Sequence, residues 1–176
     1  KSLIMMNKLT GLIVILAVSF SQQNLIENDS QSKYLIPNFT ANWFKAVEYC
    51  RYLERRLAII ESPAAEENLY RAIKSSEIFV NVSTRVWIGA NDLGGEGYFH
   101  WHATGRRVQY ANWVHLQPDN WGGDEDCVEV GTNFVGGFEL NWKWNDDDCT
   151  RPHYFVCEAV ETIGLDNVTQ YNKTVL

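Results

Sequence analysis

Four cysteines constrain this chain more than any other feature, because two of them sit against acids inside a strongly acidic stretch. They are Cys50, Cys127, Cys149 and Cys157; Asp126 precedes Cys127, and Asp148 precedes Cys149. An even cysteine count in a secreted chain points to disulfides, and four cysteines leave three pairings open. No C-x-x-C pair occurs, so the spacing argues against a zinc-thiolate site. A bridge between Cys127 and Cys149 would tie together two acidic groups: Asp119, Asp124, Glu125 and Asp126, and then Asp146, Asp147 and Asp148. Carboxylates forced together repel, and one would normally take up a proton unless a cation intervened. The donors on offer are Gln117, Asp119, Glu125, Asn145 and Asp146. An all-oxygen set suits calcium, which takes about six to eight irregular ligands, better than octahedral magnesium. The competing reading of the charge pattern alone is a solvated acidic face.

The secreted context is read from residues 1–21, which have the layout of a signal peptide. Lys1 and Lys8 precede the apolar run Leu9–Phe20, and Ser19 and Ser21 supply small residues before a cleavage point. Met5 or Met6 would be its start, and a signal anchor is the alternative. The run is about 12 residues, short of the roughly 20 that a membrane span needs, so no span is expected. Sequons at Asn28, Asn38, Asn81, Asn167 and Asn172 fit an extracellular glycoprotein. Residues 22–33 read as a polar lead-in, 34–158 as one domain, and 159–176 as a flexible tail. Aromatic residues make up 13% of the chain, with seven Trp, enough to give one domain a substantial core. A net charge of -7 excludes a nucleic-acid surface, since Arg55-Arg56 and Arg106-Arg107 make no basic stripe.

The order of elements predicts an α+β domain. Trp43, Ala46, Val47, Cys50 and Leu53 share one face of a helix over 42–53, capped by Thr40 or Asn42. Ser62 and Pro63 open a second helix, with Glu66 and Glu67 near its positive end and Leu69 and Ile73 on its apolar face. After Val82 the chain turns to short β-branched and aromatic segments, at 86–88, 98–101 and 154–157, which predict antiparallel strands. Residues 112–148, rich in glycine and acids, are expected to form a long irregular region that carries function.

The motifs resemble the C-type lectin family. They run Cys50, Trp87-Ile88-Gly89, Gln117-Pro118-Asp119, Glu125, Cys127, Trp144-Asn145-Asp146, Cys149 and Cys157, in that order, across residues 34–158. Secreted insect galactose-specific members look closest. The resemblance implies a C-type lectin-like domain with bridges Cys50–Cys157 and Cys127–Cys149, and a cis Gln117–Pro118 bond. It also implies a principal calcium held by Gln117, Asp119, Glu125, Asn145 and Asp146. Two sugar hydroxyls would share that ion and hydrogen-bond to its ligands. The Gln-Pro-Asp order implies galactose-like 3- and 4-hydroxyls, and Trp121 stands where galactose-binding members place a ring for stacking. The glycine-rich loop that some members carry behind this Trp is cut here to Gly122-Gly123. Asp92, Glu96, Asn120 and Asp126 match an auxiliary calcium site, with Asn120 where an acid is usual. Galactose-terminated glycans, including those of microbial surfaces in innate immunity, are the implied partners.

An enzyme is not expected. Paired carboxylates can hydrolyse glycosides, but here the acids are accounted for as an ion shell. His100 and His102 flank Trp101 at strand spacing and read as surface or packing residues; no H-E-x-x-H motif occurs. The alternative function is a sugar-independent, protein-binding lectin-like domain. Loss of calcium ligands marks that class, and this chain keeps all five.

Overall fold

The computed structural model describes residues 33–79, 84–135 and 138–160, with the side chains of 132–141 outside that description. The signal segment over 1–21, all but Lys33 of the lead-in, residues 161–176 of the tail, and the sequons at Asn28, Asn81, Asn167 and Asn172 lie outside the described residues. Asn38 is exposed, and its Nδ2 donates to Glu77 Oε2 at 3.1 Å.

Both helices start where their caps direct. Helix α1 (Trp43–Tyr52) opens on Asn42, not Thr40; Asn42 Oδ1 accepts from Lys45 N at 2.9 Å. That bond satisfies a first-turn N–H that has no helical partner. The helix buries Trp43, Ala46 and Cys50. Helix α2 (Pro63–Lys74) opens on Ser62, whose Oγ accepts from Ala65 N at 3.2 Å, and it buries Leu69 and Ile73.

Two sheets carry the rest. Strands β1 (Tyr34–Leu35), β2 (Arg55–Leu57) and β8 (Cys157–Ala159) form a small antiparallel sheet in the order β1-β8-β2. The larger sheet uses β3 (Arg85–Asn91), β4 (His100–Trp101), β5 (Cys127–Val135) and β6 (Phe138–Asp147), in the order β4-β3-β5-β6. Strand β7 (Tyr154–Phe155) pairs parallel with β3. Successive strand side chains point to opposite faces, and β3 uses both. Val86, Ile88 and Ala90 enter one core with Leu69, Ile73, Trp101, Val128 and Trp144. Trp87 enters a second with Trp43, Phe155 and all four cysteines. The intervening Gly89 is held close to its neighbours; a Cβ there would lie 3.1 Å from the Leu57 carbonyl oxygen.

The disulfides are Cys50–Cys157 and Cys127–Cys149, with Cα–Cα distances of 5.3 and 5.2 Å. The first closes 107 positions and the second 22. Chain-entropy arithmetic gives stabilisations of about 4–5 and about 3 kcal/mol. The longer bridge joins α1 to β8. The shorter one leads from the first residue of β5 to Cys149, just past the end of β6.

Three expectations need correction. The segment 154–157 is not one antiparallel strand: it is split at Val156 into β7, which runs parallel to β3, and β8, which joins the smaller sheet. The strand expected over 98–101 is only His100–Trp101; Tyr98 is exposed and Phe99 buried outside any strand. The irregular region is shorter than 112–148, because 127–147 is mostly the β5–β6 hairpin. Val128 and Val130 alternate toward the core and meet Trp142 and Trp144 there. That period-two signal lies within the acids and glycines that had marked the segment as loop.

Candidate functional site

The irregular segment between β4 and β5 supplies one half of the site, and the end of β6 supplies the other. The Gln117–Pro118 bond is cis. Leu116 and Asn120 on either side take left-handed φ values of 74° and 43°, so three sharp reversals bring Gln117, Asp119 and Asn120 round toward β6. Gln117 Oε1 accepts from Asp119 N at 3.0 Å. Asp146 Oδ1 accepts from Asp119 N at 3.2 Å, and its Oδ2 from Asn120 N at 2.9 Å. Glu125 Oε2 accepts from Trp121 N at 3.0 Å, while Asn120 Oδ1 accepts from Glu125 N at 3.0 Å. The loop is thus wrapped around two carboxylates through its own N–H groups.

This wrapping brings Asp119, Glu125 and Asp146 together, each with a carboxylate oxygen within 4.8 Å of the others. Asp119 is exposed, whereas Glu125 and Asp146 are buried. None of the ion pairs among the described residues involves these three. Burial, the Trp121 N–H that partly offsets it, and the charges of Asp146, Asp147 and Asp119 push Glu125 up to about 7. Asp146 is raised as well, by burial, with the Asn120 and Asp119 N–H groups pulling the other way. The cluster therefore resists carrying its full negative charge without a cation. Of the other two expected ligands, Gln117 lies beside Asp119 through the bond above, and Asn145 donates from Nδ2 to the main-chain oxygen of Asp146. Trp121 is 70% exposed, so its ring is presented to solvent and not packed in the core.

The auxiliary set is also gathered. Asn120 Nδ2 donates to Glu96 Oε2, Asp92 N donates to the Asp126 carbonyl at 3.0 Å, and Asp92 Oδ2 accepts from Gly97 N at 2.8 Å. The second oxygen of Asp92, Oδ1, is buried without a hydrogen-bond partner. Burial, offset by the Gly97 N–H, and the charges of Glu96, Asp126 and Asp146 push Asp92 up to about 6.

Three supporting groups were not foreseen. Glu66, read only as a helix-dipole residue, reaches out of α2 to clasp the site's far side. Its Oε1 accepts from Trp144 Nε1 at 2.8 Å, and its Oε2 accepts from Tyr110 Oη and Asn112 Nδ2, both at 2.8 Å. Burial and the adjacent Glu66 push the Tyr110 hydroxyl up to about 12. Asp147 is fully buried and meets Arg151 Nη1 at 2.6 Å, His153 Nε2 at 2.8 Å and Arg85 Nη1 at 3.3 Å. Burial alone would raise it, but His153 and Arg151 outweigh burial and hold it below the usual carboxylate range. Glu129, also buried, lies opposite Asn145 on β5 with Arg85 Nη1 at 3.4 Å, and burial drives it up to about 8 despite that charge. The signal for Asp147 and Glu129 was strand alternation; for Glu66, 78 positions from Trp144, no local signal exists.

The Lectin C-type domain family model matches residues 39–159. The chain is 42% identical over 130 residues to salivary C-type lectin 2 of Aedes albopictus, covering 74% of this chain and 85% of that one. It is 40% identical over 138 residues to C-type lectin mosGCTL-7 of Culex quinquefasciatus, covering 75% and 76%. Among solved structures, the cow C-type carbohydrate-recognition domain of CD23, determined in the presence of a GlcNAc2Man3 oligosaccharide, superposes with a TM-score of 0.59 at 30% identity, covering 74% and 91%. Helices, sheets, both disulfides and the family match agree: the chain belongs to the C-type lectin domain family.

Proposed function

We propose that this protein is a secreted, calcium-dependent lectin that binds galactose-like sugars. The observation that carries the reading is the Asp119, Glu125 and Asp146 cluster, three carboxylates within 4.8 Å beside a cis proline. The donor set fits calcium: all its atoms are oxygens, their arrangement is irregular, and their mutual repulsion is left for a cation to relieve. Gln117, Asp119, Glu125, Asn145 and Asp146 would hold the ion. Asp92, Glu96, Asn120 and Asp126 would hold an auxiliary one. Calcium bound there supplies positive charge and open coordination positions for vicinal sugar hydroxyls.

The residues supply the rest. Carboxylates of Asp119 and Glu125 accept from sugar hydroxyls, and the amides of Gln117 and Asn145 donate to them. The exposed ring of Trp121 offers a flat apolar face to the C–H side of a galactose-like ring, which supports that sugar class over mannose. Salivary relatives support secretion, in keeping with the leader expected over 1–21. Galactose-terminated glycans, including those on microbial surfaces, are the partners.

Retention on immobilised galactose in calcium, with release by a chelator, tests the reading. Retention that a chelator leaves unchanged, or that free mannose blocks and galactose does not, would refute it.

A further inference from the structure

Away from the loop site, a cavity of about 330 Å³ opens beside the last turn of α1. Its size falls within the roughly 300–1,000 Å³ of small-molecule pockets. Arg51, Arg55, Arg56 and His102 line it, with Val47 and Leu57 on its apolar side. Among the described residues no carboxylate lines it, and none of those lining it belongs to the acidic cluster.

Three guanidinium groups gathered in this way are not a by-product of composition, because the chain as a whole carries -7. Two of them are already engaged: Arg55 takes part in a further interaction, and the buried Glu158 accepts from Arg56 Nε at 3.1 Å while also accepting from Ile59 N at 3.2 Å. That bond fixes Arg56 in the wall. Arg51 takes part in no ion pair among the described residues. Burial, and then the Arg51 charge, hold the His102 imidazole below its ordinary range, as expected of a ring facing positive charge. Guanidinium forks match the geometry of carboxylate, sulfate and phosphate oxygens, and the aliphatic side can take up apolar surface.

We propose that this cavity is a second binding site, for a small organic anion with its oxyanion against the arginines and an apolar body against Val47 and Leu57. The site is independent of the calcium-lectin reading and is tested separately from it.

The probes are 4-nitrophenyl sulfate and 4-nitrophenyl phosphate, with inorganic sulfate and neutral 4-nitrobenzyl alcohol as comparisons. The readout is the amide NMR shifts of Gly89 and Ala103, which also line the cavity. Saturable shifts with either aryl oxyanion are expected below about 10 mM, and the tighter of the two identifies the head group. Arg51→Gln, an exposed change, should weaken binding about tenfold and leave sugar retention unaltered. Shifts that do not saturate, equal binding of the neutral alcohol, or an unaltered affinity in both Arg51→Gln and Arg55→Gln would overturn the proposal. Inorganic sulfate binding as tightly as the aryl sulfate would overturn its apolar half.

Discussion

Asp146 and Asp147 are adjacent, both fully buried, and opposite in electrostatic circumstance. Asp146 points among Asp119 and Glu125, with main-chain N–H groups as its hydrogen-bond donors. Asp147 points the other way, into Arg85, Arg151 and His153. Strand alternation separates them. One side of β6 ends in negative charge that no cation among the described residues neutralises; the other ends in an ion-pair network. A buried acid with its own cations is architecture, whereas a buried cluster without them is built for a charge that comes from outside.

That contrast can be broken most severely at Asp147. Asp147→Ala leaves the cationic groups around it without their buried partner and should cost about 3–5 kcal/mol of stability, with or without calcium, as read by denaturant unfolding. Asp119→Ala, at the exposed lip of the other cluster, should do the reverse: galactose retention falls more than about a hundredfold while the unfolding midpoint of the calcium-free protein stays put. Glu66→Gln comes next. It removes the charged acceptor shared by Tyr110, Asn112 and Trp144, and should cost about 1.5–3 kcal/mol by thermal or chemical unfolding.

A pH series separates the two acid groups most finely. Glu125 has a native pKa near 7, above its ordinary 4.5. Its contribution to the calcium-free fold is therefore fully present below 4.5 and is lost as pH rises through about 7. Calcium should cancel that loss, and its affinity, followed by titration calorimetry, should fall up to about tenfold per pH unit below 7 for each proton displaced. Asp147 has the opposite sign: its native pKa lies below 3.8, so its contribution is present above that value and vanishes only as pH falls through the native pKa. Equal pH responses from Glu125→Gln and the parent protein would remove this distinction.

Much of the fold was legible because its signals are local. Asn42 and Ser62 cap helices through bonds spanning three residues, and Trp87-Ile88-Gly89 alternates as a buried strand must. The disulfides followed from the family pattern, not from spacing. The β5–β6 hairpin was missed because its alternating Val128, Val130, Trp142 and Trp144 are threaded through acids that composition assigns to loop. The donors Gln117, Asp119, Glu125, Asn145 and Asp146 were readable as types of atom, but their proximity was not.

By itself the sequence determined which chemistry was available: oxygen donors in two groups, cysteines beside them, a proline between an amide and an acid, and a family in which those pieces recur. Only the tertiary structure decided how three consecutive aspartates divide. Asp146 joins the acidic cluster, Asp147 enters an ion-pair network, and Asp148 accepts from Thr150 N at 2.8 Å in a local turn. Only there, too, does Glu66 meet Trp144, or Arg51 meet His102. The reason is physical: charge acts through distance and burial, and both are set by strand register and chain closure between residues far apart along the chain.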